Sequence, residues 1–514
     1  MNQIILTFFG GLLMGLSPAP NSVFCLAWLA LIPLWSNIIF SKNSLKQNIL
    51  LGLVWGIGFH GVALFWITGI HPMTWMGVPW LASLLIALFC WIFITLWGAV
   101  LVVVWSCGMT WFKRLCNTST IKDSLFRVIL GVALWCGLEW LWSNTPLWWS
   151  SLSYTQSPNN LWILQLSKLS GFSVVTASIV AVNGLLAESI YYLSRNRSQS
   201  YSLLSLALSL LVLLHSLGFY LFQQPLSETP DKAIKVGIIQ GNIPNEIKLY
   251  PEGFRKAIEG YTTGYQTLAS QGVDVVLTPE TALPYFWNDI VQNSSFYQSI
   301  LQEKVPVWLG AFGVQGKDYT NSLFTVTGDG EIISRFDKVK LVPLGEYIPF
   351  ESILGQIINR LSPLDAHLVP GKPNQIFNTP FGRAIVGICY ESAFAEHFRK
   401  QTQNGGEFII TAANNAHYSK SMPAQHHAQD IIRAIENDRF LARATNTGYS
   451  AFIDPHGRTL WISEINQYQI HSATIYRRNT QTLYVRFGDW LTKVLLVLGL
   501  GIIVYRFNLS KNSL

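Results

Sequence analysis

Charge is scarce in this chain. Of its 514 residues only 12% are Asp, Glu, Lys or Arg, against the roughly 25% usual in soluble domains. That excludes an ordinary soluble globule. The net charge of +7 invites nucleic acid as a partner, but no run of five or more Lys/Arg occurs, so no nucleic-acid partner is expected. No internal repeat or low-complexity tract is visible, which leaves repeat arrays aside. Met1-Asn2-Gln3 lacks the basic charge that opens a signal peptide, so the first apolar segment is expected to stay as an anchor. What is present is apolar: half the residues are hydrophobic, 20 are Trp, and mean hydropathy is +0.31. Together these point to a membrane protein.

A spanning helix needs about 20 apolar residues. Segments 3–17, 22–40, 49–70, 80–107, 127–142, 165–193, 201–222 and 490–505 meet or approach this, giving an α-helical polytopic membrane domain of about eight spans. Seven spans fall in residues 1–222 and the last is a C-terminal helix at 490–505. Basic residues sit at Lys42, Lys46, Lys113, Arg114, Lys122, Arg127, Arg195, Arg197, Arg506 and Lys511, whereas loops 68–79 and 143–164 carry no Lys or Arg. With eight spans every basic loop lands on one side. The positive-inside rule then predicts cytoplasmic termini and an extracytoplasmic domain over 233–480. Glu139, Lys168 and Glu188 form no chain across the membrane, which argues against a proton-coupled transporter. Trp75, Trp80, Trp142, Trp148 and Trp149 fit an interfacial belt.

Six cysteines are present; five belong to spans or a cytoplasmic loop, and Cys389 alone lies in the external domain. A solitary extracytoplasmic thiol is either a packed small hydrophobe or a reactive group. The domain itself alternates strands (233–240, 273–278, 305–312, a hairpin over 322–338, 383–388, 408–411, 449–454) with helices (254–271, 293–304, 424–445). This predicts a layered α/β fold. The Pro/Gly-rich segment 342–380 reads as a long loop of the kind that forms lids.

Three motifs end strands. Glu280, in Thr278-Pro279-Glu280-Thr281, is expected to be rigid and desolvated, with its pKa raised toward that of a general base. Lys338 is followed by Glu346 on a Gly-Glu-Tyr turn that would hold the ammonium where it stabilises a thiolate or oxyanion. Cys389 follows an apolar strand and opens a polar turn, Cys389-Tyr390-Glu391-Ser392, the geometry that exposes a nucleophile. Each alone also fits a plainer role: a turn carboxylate, a solvated lysine, a packed strand cysteine.

Jointly, Glu280, Lys338 and Cys389 resemble the Glu–Lys–Cys triad of the carbon–nitrogen hydrolase (nitrilase) superfamily in order and context. Gln240-Gly241-Asn242-Ile243-Pro244, Leu344-Gly345-Glu346-Tyr347-Ile348-Pro349, Cys389-Tyr390-Glu391 and Ala444-Thr445-Asn446, within the membrane frame, resemble its apolipoprotein N-acyltransferase branch along nearly the whole chain. The resemblance implies a nitrilase-like αββα sandwich in a bacterial inner membrane, with no cofactor or metal and a monomeric state. It implies a phospholipid acyl donor, a thioester on Cys389, and the α-amino group of a diacylglyceryl-modified apolipoprotein as acceptor. Glu346 would hold Lys338 or shape the pocket, and Tyr390 and Glu391 would support the nucleophile. Leu249-Tyr250 and His417-Tyr418 stand where many members carry Trp or Trp-Phe, so donor or acceptor preference is left open. A membrane-tethered amidase, or a scaffold or transporter with a degenerate domain, are the competing readings.

Overall fold

The computed structural model describes residues 2–116, 120–347, 368–416 and 418–511. The chain divides into two units: residues 1–68, 88–224 and 487–514 form one, and 69–87 with 225–486 form the other. Residues 69–87, which the sequence assigns to the membrane domain, therefore belong with the α/β unit.

The first unit is helical. Each apolar segment is helical in whole or part, and among the described residues five helices are long and apolar enough to cross a membrane: Trp80–Leu115, Ile121–Trp142, Phe172–Tyr192, Arg197–Phe222 and Trp490–Leu509. The sequence expected about eight. Asn2–Gly15 and Phe24–Phe40 are shorter, and Leu45–Ala63 has the length but carries Lys46, Gln47, Asn48 and His60. Segment 165–193 is broken at Gly171, whose φ of 73° interrupts the helix before Phe172. Helices Asn2–Gly15 and Leu45–Ala63 approach so closely that a Cβ on Gly11 would lie 2.2 Å from the Trp55 carbonyl oxygen, the small-residue contact that membrane helices favour. Inside, Arg127 pairs with Glu188 at 2.6 Å, and Glu139 accepts from Ser151, Thr176, Trp135 and the Leu152 N–H. Both carboxylates are thus fully engaged in structure. The basic loops meet at one end of this unit: Lys113 donates to the Ile38 and Ser41 carbonyls, Lys122 to the Tyr505 hydroxyl, and Arg506 pairs with Asp123.

The second unit contains two six-stranded sheets, ordered β12-β1-β2-β3-β4-β5 and β11-β10-β9-β8-β7-β6. The first is built from β1 (Ala233–Gln240), β2 (Val275–Leu277), β3 (Val307–Gln315), β4 (Asp318–Val326), β5 (Ile332–Asp337) and β12 (Gln469–Tyr476); the second from β6 (Phe377–Thr379), β7 (Gly382–Ile388), β8 (Phe408–Ala413), β9 (Leu441–Thr445), β10 (Ala451–Ile453) and β11 (Thr459–Ile462). β1, β2 and β3 run parallel, as do β7, β8 and β9. Strand alternation sends Val236, Ile238 and Trp308 from one sheet, and Val386, Ile388 and Ile410 from the other, into one shared core. The opposite face of the first sheet packs under helices Pro251–Ser270 and Ser295–Glu303 through Ile239, Val276 and Leu309. On the outer face of β7, a Cβ on Gly387 would strike the Phe398 ring of helix Ala395–Gln403, which packs beside helix Ser421–Asn437. The result is the expected αββα sandwich.

The expected helix over 424–445 is corrected. It stops at Asn437, Asp438 turns left-handed (φ 53°) with its carboxylate held by Arg478 and Thr480, and residues 441–445 form β9. Leu-Ala-Arg-Ala-Thr is rich in helix formers, but central pairing between β8 and β10 overrides that weak preference. Most of the expected 342–380 lid, residues 348–367, lies outside the described residues.

Candidate active site

Glu280, Lys338 and Cys389 each sit just past the carboxyl end of a strand. Glu280 follows β2, in a loop pressed against β3: a Cβ on Gly310 would be 2.0 Å from the Pro279 carbonyl oxygen, so glycine is required there. Lys338 follows β5, and Cys389 follows β7 with φ of +53°, a left-handed conformation that an L-residue holds only where its surroundings fix it. The three residues line one pocket together with Asn245, Lys248, Asn321, Glu346, Asn414, Tyr418 and Trp75.

The contacts are short. Lys338 Nζ lies 2.9 Å from Glu280 Oε1 and 2.8 Å from Glu346 Oε2. Asn321 Nδ2 donates to the same Glu280 oxygen at 2.6 Å and to Glu346 at 3.1 Å, and the Asn414 N–H donates to Glu280 Oε2 at 2.8 Å. The Cys389 thiol points to the Asn414 carbonyl at 3.9 Å. Asn414 thus touches both the Glu280 carboxylate and the Cys389 thiol with its backbone.

The electrostatics correct one expectation. Burial alone would raise the Glu280 carboxyl, but the Lys338 ammonium, then Lys248 and Asn321, outweigh it and hold it below its ordinary value. Burial works against Lys338 as well, yet Glu280 and Glu346 hold it well above the usual lysine range. Burial, reinforced by Glu280 against the pull of Lys338, pushes the Cys389 thiol up to about 12. The resting site is therefore a neutral thiol beside a carboxylate and an ammonium. Among the described residues no group of three or more His, Cys, Asp or Glu side chains is arranged to hold a metal ion.

Comparison with known proteins gives this site its context. The carbon-nitrogen hydrolase family matches residues 235–483, and the apolipoprotein N-acyltransferase N-terminal domain matches residues 10–185. An apolipoprotein N-acyltransferase of Nostoc sp. is 56% identical, covering 96% of this chain and 97% of its own length. The chain belongs to the apolipoprotein N-acyltransferase family. A Synechocystis sp. relative of the same name is 53% identical over 94% of this chain and 97% of its own. An amidase structure from Nesterenkonia sp. aligns with 51% of this chain and 96% of its own at 18% identity and a TM-score of 0.38.

In this N-acyltransferase-family chain the supporting residues divide by how they act. Glu346 holds Lys338 directly, and its own orientation is fixed by the Val342 N–H at 2.8 Å. Glu391 stands behind the site: it accepts from the Val339, Lys340 and Ile388 N–H groups, tying the Lys338 loop to the Cys389 turn. Tyr390 is buried with its ring edge-on to Phe394 at 5.1 Å. Of the departures from the family pattern, Leu249 and Tyr418 line the pocket, and His417 lies outside the described residues.

Sequence reasoning missed several residues. Asn321, mid-strand in β4, is brought in by pairing with β5, as its carbonyl accepts from the Lys338 N–H at 2.8 Å. Trp75, expected in an interfacial belt, also lines the pocket. His426 Nε2 lies 2.8 Å from the Cys389 carbonyl, which can only accept, so that nitrogen carries the proton. Burial, helped by Arg443, drops its pKa to about 3, and the neutral ring accepts at Nδ1 from Asn415 Nδ2 at 3.3 Å. The one local signal for Asn414 was its place at the end of a buried strand; Asn321 and His426 carried none.

Proposed function

We propose that the chain transfers a fatty acyl group from a phospholipid, through a thioester on Cys389, to the α-amino group of the lipid-modified N-terminal cysteine of apolipoproteins. The reading rests on one observation: a thiol, a carboxylate and an ammonium from three separate segments converge in a single buried pocket, with Lys338 bridging Glu280 and Glu346. Family membership supports the acyl chemistry and the lipoprotein acceptor.

In the first half, the Cys389 sulfur attacks the donor ester carbonyl while its proton passes to Glu280. A thiol at about 12 gives little free thiolate, so deprotonation must accompany C–S bond formation. The oxyanion is stabilised by Lys338, kept charged by its two carboxylates. Collapse breaks the C–O bond, and the leaving lyso-phospholipid oxygen takes the proton back from Glu280. In the second half, the acceptor amine attacks the thioester and yields a proton to Glu280; the C–S bond breaks and the sulfur recovers that proton. The products are an amide and the free thiol, which implies ping-pong kinetics.

The clustering of basic loops at one end of the helical unit supports cytoplasmic termini and an extracytoplasmic catalytic domain by the positive-inside rule, in a bacterial inner membrane. The test is reconstitution with a defined phospholipid and a diacylglyceryl-cysteine peptide. The amide-linked product is expected from the wild type and not from Cys389→Ala. Product from Cys389→Ala at the wild-type rate overturns the reading.

A further inference from the structure

The pocket holds a second cation that the acyl-transfer steps above leave unused. Asn245 and Lys248 lie three residues apart on one helical turn, are 7% and 6% exposed, and both line the pocket that contains Cys389. Residues at that spacing share a helix face. Lys248 Nζ donates to the Glu280 carbonyl at 3.2 Å and to Thr281 Oγ1 at 2.8 Å, and an ammonium has a third N–H to give. Both partners are neutral, whereas Lys338 stands between two carboxylates.

Asn245 adds a second unspent donor. Its Oδ1 accepts from Asn414 Nδ2 at 3.1 Å, which directs the NH2 group elsewhere; Nδ2 is buried and makes no hydrogen bond among the described residues. A buried donor left unmet costs about 1–3 kcal/mol. Two donors on one face, one of them charged, suit a ligand that only accepts and carries negative charge. Burial holds the Lys248 ammonium down at about 8 against the pull of the nearby Glu280 carboxylate, with which it makes no direct ion pair among the described contacts.

We propose that Asn245 and Lys248 bind the phosphodiester of the glycerophospholipid donor while its ester carbonyl lies at Cys389. This rests on the acyl-transfer reading and deepens it. The acceptor carries fatty esters of its own on its diacylglyceryl group, yet those must not load Cys389. Phosphate is what distinguishes a phospholipid from that group, and a lysine is a common point-charge ligand for phosphate. The corner therefore selects the donor.

The experiment follows acyl-Cys389 formation by mass in the full chain, with two donors of matched acyl chains, a glycerophospholipid and a diacylglycerol. The readout is the ratio of the two rates. The wild type is expected to favour the phospholipid. Lys248→Gln is expected to cut the ratio about 10- to 100-fold, the equivalent of one hydrogen bond to a charged group. Asn245→Leu, which removes only the amide, is expected to move it in the same direction, and Lys248→Arg to restore part of it. An unchanged ratio in both Lys248→Gln and Asn245→Leu overturns the proposal. So does stimulation of the diacylglycerol reaction by inorganic phosphate, which would make the corner a free-anion site. A wild-type protein that acquires no acyl group from either lipid defeats the acyl-transfer reading itself, a different outcome.

Discussion

At the scale of single residues, proton positions govern the chemistry. Glu280 is held below the ordinary carboxylate value by Lys338, so it stays ionised, as the proposed base must, while pH falls through the usual range near about 4.3. Activity lost to its protonation is therefore expected only at pH values below that, in a profile of kcat/KM against pH. Glu280→Gln keeps the shape but cannot take a proton, and kcat is expected to fall by about 10²–10⁴. The thiol offers a complementary check. Alkylation of Cys389 by iodoacetamide is expected to show no inflection near the ordinary thiol value of about 8.5, because burial has moved it to about 12. His426 acts through the backbone. His426→Ala removes the side-chain donor from the Cys389 carbonyl, a loss of about 0.5–1.5 kcal/mol, and kcat is expected to fall with little change in KM. His426→Gln, which retains a donor, is expected to recover part of the rate; equal rates for the two variants would deny the ring a positioning role.

Among elements, the site depends on strand ends that meet because the two sheets pack face to face. Gly310 shows how tight this is. Gly310→Ala would place a Cβ 2.0 Å from the Pro279 carbonyl oxygen, and overpacking of this kind costs about 1–3 kcal/mol. A lower thermal midpoint and a reduced kcat are expected together, since the loop that must move carries Glu280. Much of this scale was legible. The strands 233–240, 383–388 and 408–411 announce themselves by apolar runs, and the 322–338 hairpin by Gly328-Asp329-Gly330. β12 was not, because its outward residues are half-buried and mixed, and it is fixed by its full register with β1, from Ala233 opposite Tyr476 to Gln240 opposite Gln469. β9 was misread because its residues favour helix locally, and only its neighbours make it a strand. Glu280, Lys338 and Cys389 each follow a strand that sequence could find. Asn321 and Lys248 could not be found that way, since long-range pairing and a pocket wall bring them in.

For the whole molecule, the loop charges carry a topological expectation. Lys317 sits in the exposed β3–β4 turn, so Lys317→Cys in intact cells is expected to react with a membrane-impermeant maleimide from outside. Labelling only after permeabilisation would reverse the orientation. Yet the frame matters chiefly for what reaches Cys389. The most direct measurement is a single-turnover chase: protein mixed with phospholipid alone, digested and weighed, then chased with a diacylglyceryl-cysteine peptide. One acyl group is expected on the peptide containing Cys389, labile to hydroxylamine as a thioester, and discharged when the amine is added. An amide product formed with no acyl group ever passing through Cys389, or an adduct that the amine cannot discharge, would contradict the mechanism.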